Sequence, residues 1–195
     1  AAVEALNDSV MKFADDGAIS VSDAASLTNA NTINNYTTGQ VTLTSVSDTV
    51  ANITSIDGLT TTQVSMAAAT VSITDTGASK TQVDTVNGFT TGTVTPTSIS
   101  EDKADITTLQ GTAGISLATT NITVTDQVDK SEADTINGYT TGQVVLNSSS
   151  MTVTELAAVE ALNDSVMKFA DDGAISVSDA ASLTNANTIN NYTTG

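Results

Sequence analysis

The sequence contains no cysteine, histidine, arginine or tryptophan, and its five cations are all lysines: Lys12, Lys80, Lys103, Lys130 and Lys168. Without cysteine or histidine there is no disulfide framework, no thiolate or imidazole metal site and no Ser-His-Asp or Cys-His nucleophile. Without arginine, bidentate clamps for phosphate or bases are missing as well. The 22 acidic side chains against 5 basic ones leave a net charge of −17. Such a surface repels nucleic acid and anionic membranes, because both are bound through basic side chains. No stretch approaches the roughly 18 consecutive apolar residues of a membrane span, so direct membrane insertion is not expected. These absences point away from an enzyme.

What the chain does have is repetition. Residues 1–39 recur without a change as residues 157–195, a period of 156 residues. The chain therefore reads as one continuous segment over 1–195, a slice of a longer tandem array. Inside the period lies a shorter, more divergent unit, in which apolar and hydroxyl residues alternate and end on an acid. It appears as ISVSD (19–23), SVSD (45–48), VSITD (71–75), SISE (98–101), ITVTD (122–126), MTVTE (151–155) and ISVSD (175–179). The closing acids, Asp23, Asp48, Asp75, Glu101, Asp126, Glu155 and Asp179, are 24 to 29 residues apart, so six units of mean length 26 fill one period. A second landmark follows in most units, as in TINNYTTG (32–39), TVNGFTTG (85–92) and TINGYTTG (135–142).

Alternation in ITVTD places Ile122 and Val124 on one side and Thr123 and Thr125 on the other, the pattern of a half-buried strand. The acid then suggests a helix N-cap, and apolar residues at spacing three follow, such as Val83, Val86 and Phe89. A run of about ten residues rich in Thr and Asn has poor helix propensity, so the helices are expected to be short and partly 3₁₀. Asn-Gly at 87–88 and 137–138 and Asp-Gly at 57–58 predict left-handed helix ends. Each unit then reads as strand, corner, strand, capped helix and turn, with connectors of varying length at 63–70 and 143–150. One segment differs: Leu156, Val159, Leu162, Val166 and Phe169 fit one face of a longer helix over 155–170, capped by Glu155. Such units bury their apolar sides only by stacking, so the expected fold is a parallel β-solenoid of α/β coils. An array of β-sandwich domains is the alternative.

The strings NGYTTG, NGFTTG and DTVANI among the Ser/Thr-x-acid markers resemble those of giant tandem-repeat surface proteins of marine cyanobacteria and related bacteria. The resemblance spans every unit and carries no catalytic residues. It implies secretion, an extracellular location on the bacterial cell surface, and a part in coats, motility or adhesion.

Two rows of side chains are candidates for binding. The acids Asp23, Asp48, Asp75, Glu101, Asp126, Glu155 and Asp179 would lie about 5 Å apart along a stack. There they repel by roughly 1 kcal/mol per pair in water. Helix capping relieves part of this, and calcium held between coils, which needs only oxygen ligands, would relieve more. The outward hydroxyls, among them Ser20, Ser22, Ser72, Thr74, Thr123, Thr125, Thr152 and Thr154, form a face for ice or a glycan, or simply a solvated one. Tyr36, Phe89, Tyr139, Phe169 and Tyr192 read as a core ladder at the helix ends. Asp15-Asp16 and Asp171-Asp172 read as solvated helix stops. The expected function is a stiff rod, coat or filament that continues end to end into identical repeats and meets cell-surface polysaccharide. A binding module using the hydroxyl face is the alternative.

Overall fold

The computed structural model describes residues 16–59, 63–162 and 165–193. Residues 1–15, with Lys12 and Asp15, lie outside that set. The described chain is α/β. It runs β1 (Ile19–Val21), α1 (Leu27–Asn34), β2 (Val41–Leu43), β3 (Ser45–Asp48), α2 (Val50–Gly58), β4 (Val64–Ser65), β5 (Thr70–Ile73) and α3 (Lys80–Asn87). It continues through β6 (Val94–Pro96), β7 (Ser98–Glu101), α4 (Lys103–Gly111), β8 (Asn121–Val128), α5 (Lys130–Asn137), β9 (Val144–Met151), α6 (Val153–Glu160), β10 (Met167–Val177) and α7 (Leu183–Ile189).

Every strand pairing is parallel, in three sheets of order β1-β2-β4, β3-β5-β6 and β10-β9-β8-β7. The β-sandwich alternative, whose sheets are antiparallel, is therefore not the architecture formed. Strands pair with the next unit along, as in Ile19↔Val41, Val71↔Val94 and Ile122↔Val144. Between the first units a corner separates two short strands, but β8, β9 and β10 run on as single strands. Where their corners would be, the register shifts, between Val124 and Gln127 and between Phe169 and Ala174. The connector expected at 143–150 is thus mostly strand, β9.

Alternation decides which side chains enter the core: Val41 and Leu43 are buried while Thr42 between them is exposed. Each central helix adds a buried pair three residues apart, Ile53 and Ile56, Val83 and Val86, Ile106 and Leu109, Ala133 and Ile136, Leu156 and Val159. Fully burying one large aliphatic side chain stabilises by about 1.5–3 kcal/mol, so a pair is enough to seat a helix of two turns. The helices are α and seven to nine residues long. Their threonines return hydroxyl hydrogen bonds to the carbonyl four residues back, as Thr54 does to Val50 at 2.8 Å and Thr107 to Lys103 at 2.8 Å. That satisfies the hydroxyl without opening the helix.

Four local expectations are corrected. The N-caps are Ser26, Thr49, Ser79, Asp102, Asp129, Thr152 and Ser182, not the marker acids. Gly88 and Gly138 close their helices in the right-handed region, at φ −71° and −68°, because two or three backbone bonds hold each amide to the last turn. The helix expected over 155–170 stops at Glu160, and Met167–Val177 is strand β10. There the period-three spacing loses to parallel pairing: Met167 faces Val144 and Phe169 faces Leu146, both pairs buried. Leu162 and Val166 are left exposed. Asp171-Asp172 lie at the register shift in β10 and are exposed, so they mark a bulge, not a helix end.

Candidate functional site

The densest polar chemistry lies in the contacts between successive units. The TTG string is one such contact. Thr90 Oγ1 donates to Ala69 O at 2.6 Å and accepts from Gly92 N at 2.9 Å, while Thr91 donates to Ala67 O through both its amide, at 2.8 Å, and its hydroxyl, at 3.0 Å. Thr140 and Thr141 repeat this on Thr120 O and Ala118 O, and Thr37 repeats it on Gly17 O with Gly39 N behind it. The glycine is required because the two backbones touch. A Cβ on Gly92 would overlap the Ala69 carbonyl, with the Ala69 carbon only 2.6 Å away, and one on Gly142 would sit 2.7 Å from the Thr120 carbon.

The marker acids form the second contact. Asp48 accepts from Leu27 N at 2.9 Å, Asp75 from Val50 N at 2.7 Å, Glu101 from Lys80 N at 2.6 Å, Asp126 from Lys103 N at 2.9 Å and Asp179 from Val153 N at 2.9 Å. In each case the donor is the first residue of the preceding unit's helix. One helix start is therefore served twice, by its own cap residue on the third amide and by the next unit's carboxylate on the first. Both satisfy amides that the helix cannot bond internally, and the negative charge meets the positive end of the helix dipole. Asp48 is held most firmly, with Thr49 N at 2.8 Å and Asn52 Nδ2 at 2.9 Å on its other oxygen. Burial works against its ionisation, but the hydrogen bonds from Leu27, Asn52 and Thr49 prevail and hold its carboxyl below the ordinary value.

Two of the seven acids depart from this pattern. Glu155 lies inside α6, where it accepts from Thr152 N at 2.8 Å and closes a capping box. Asp23 is exposed, and residues 1–15 are outside those described. Nor do the acids share one register. Asp48 is opposite Ile73 and Glu101 opposite Val124, so Asp75 and Asp126 fall two residues further on. Among the described residues no three acidic side chains gather into a metal-binding group.

The hydroxyl face is broken by the same offset. Ser47, Ser72 and Thr95 make a short row, but the next runs Ser100, Thr123, Val145, Lys168. Ser20, Ser22, Thr74 and Thr125 are exposed, and Ser72 and Thr123 are half-buried. Thr152 and Thr154 have left the strand, one as the N-cap and one in the first turn of α6. Leu59, Phe89, Tyr139 and Tyr192 pack partly buried against the core, and Tyr36 is half-buried. Phe169 joins from a strand and stacks on Tyr192, with ring centroids 6.2 Å apart.

Lysines occupy helix faces beside acids. Lys80 meets Asp84 at 2.6 Å, Lys130 meets Asp134 at 2.6 Å, and Lys103 links α4 to α5 through Glu132 at 2.8 Å. Hydrogen bonds to Asp84 and to Glu132 raise the pKa of Lys80 and Lys103, respectively. A groove of about 370 Å³ between α4 and α5 is lined by Lys103, Thr107, Ser131, Glu132 and Thr135, and its two charged groups neutralise each other. The site residues that the sequence reading missed are the TTG threonines and glycines. The signal was present in the string itself, which recurs at 37–39, 90–92 and 140–142, each time starting three residues after the end of a helix, α1, α3 and α5. No protein family model, curated protein or solved structure matches the chain.

Proposed function

We propose that the chain is one continuous segment of a parallel β-solenoid with coils of about 26 residues, and that it serves as a non-enzymatic structural rod, coat or filament in a long secreted protein of a bacterial surface. The observation that carries this reading is the recurrence of one set of inter-unit bonds. The TTG clamps and the carboxylate-to-amide bonds join residues 20 to 26 positions apart, from Thr37 on Gly17 to Asp179 on Val153. Bonds that repeat along the chain and do not converge on one place suit a protein whose product is length. Stability in such an array is a sum of unit and interface terms, so units can be added without redesigning the core. The surface location follows the resemblance of the NGYTTG, NGFTTG and DTVANI strings, and the acidic exterior suits a coat that stays hydrated.

The test is to build chains of one, two and three 156-residue periods and measure their maximum dimension by small-angle scattering. Six coils at strand spacing should add roughly 29 Å per period as a rigid increment. Compact bodies on flexible joints, whose dimension grows with the square root of their number, would overturn the reading.

A further inference from the structure

Residues 16–37 and 172–193 are identical in sequence but not in burial. In the first copy Ala25 and Ala30 are 1% and 0% exposed and Leu27 is half-buried; in the second, Ala181 and Ala186 are exposed and Leu183 is 78% exposed. Ile189, by contrast, is buried where its counterpart Ile33 is only half-buried. The same side chains thus have different neighbours. In the first copy β2, β3 and α2 cover the face that looks toward the C-terminal units. Ile19, Ser20 and Val21 pair with Val41, Thr42 and Leu43, Ala25 bridges to Val46, and α1 packs against α2. Ile19 N donates to Gln40 O at 2.8 Å and Ala25 N to Ser45 O at 3.0 Å. In the second copy β10 is the edge of its sheet, and a hollow of about 190 Å³ opens over Ile175, Val177, Ala186 and Ile189.

We propose that this exposed face of β10 and α7 is the docking site for one further unit with the sequence of residues 40–58, joined in series with the chain. The inference rests on the repeat reading above and deepens it by naming the occupant. An identical surface presents identical edge amides and apolar side chains. The complement that buries that surface once, within this same chain, is the unit of residues 40–58. Ile175, Ser176 and Val177 would pair with that unit's Val41, Thr42 and Leu43, and Ala181 with its Val46. An uncovered strand edge next to exposed alanines and leucine is what repeat proteins protect with a following unit or a polar cap.

The experiment appends the sequence of residues 40–58 after Gly195 in two forms, authentic and with the added copy's Val41→Ser, Leu43→Ser and Val46→Ser. Amide hydrogen exchange is followed at Ile175 and Ala181, with Ile19 and Ala25 as internal standards. The authentic extension is expected to slow exchange at Ile175 and Ala181 by about tenfold or more, toward the rates of Ile19 and Ala25, and the serine form is not. Unchanged exchange with the authentic extension, or equal slowing with the serine form, would overturn the docking. Fast exchange at Ile19 and Ala25 in the unextended chain would instead remove the repeat reading beneath it.

Discussion

Replacing Gly92 by alanine tests whether the TTG string is a backbone-to-backbone clamp. The added Cβ would overlap the carbonyl of Ala69, with that residue's carbonyl carbon 2.6 Å away. Neither side is a flexible side chain that could swing aside. Relief requires the two units to separate locally, which strains or breaks the bonds of Thr90 to Ala69 and of Thr91 to Ala67. Overpacking costs about 1–3 kcal/mol, and each weakened hydrogen bond adds about 1 kcal/mol. Gly92→Ala should therefore lose about 3–5 kcal/mol. Gly58 supplies the control, since it is the last residue of α2 and a Cβ there meets nothing within 4 Å. Alanine in a helix is favoured over glycine by up to about 1 kcal/mol, so Gly58→Ala should be neutral or stabilising. Urea unfolding at constant m-value reads both changes as shifts of midpoint. At this chain length, thermal unfolding should move by about 2–4 °C per kcal/mol. A Gly92→Ala protein within about 0.5 kcal/mol of the parent, or a Gly58→Ala protein equally damaged, would refute the reasoning.

Asp48 should contribute to acid sensitivity: its folded pKa lies below 3.8, so its stabilisation is present above that value and lost as pH falls through the depressed one. Asp48→Ala should cost about 1–3 kcal/mol near neutral pH and flatten the loss of stability measured between neutral and strongly acidic buffers. Ser149 is fully buried between Val128 and Ile175 with no hydrogen-bond partner for its hydroxyl. Ser149→Ala should raise stability by about 1 kcal/mol in urea titration, and a loss of that size would show that the hydroxyl has a partner. Because the marker carboxylates are directed at helix amides, chelation by EDTA should leave the melting temperature unchanged at constant ionic strength. A marked drop would place calcium between the units.

The period of about 26 residues, the half-buried strands and the small aliphatic core were legible from residue order alone. They depend on local alternation, as in Val41-Thr42-Leu43, and on identity between distant strings, which need no coordinates. The partner of each polar group was not legible in this way. The marker acids look like caps for the helices that follow them, because Asp has that local preference. Yet Ser26, Thr49 and Ser79 take the local role, and Asp48, Asp75 and Glu101 bond the helix of the preceding unit. Likewise Leu156, Val159, Leu162, Val166 and Phe169 match one helical face. Only the presence of Val144 and Leu146 alongside makes Met167 to Phe169 a strand. What a residue prefers is set by its neighbours in sequence; which amide or strand edge is left unsatisfied 20 to 26 residues away is set by how the units lie together, and the cost of leaving such a group unpaired exceeds a local propensity.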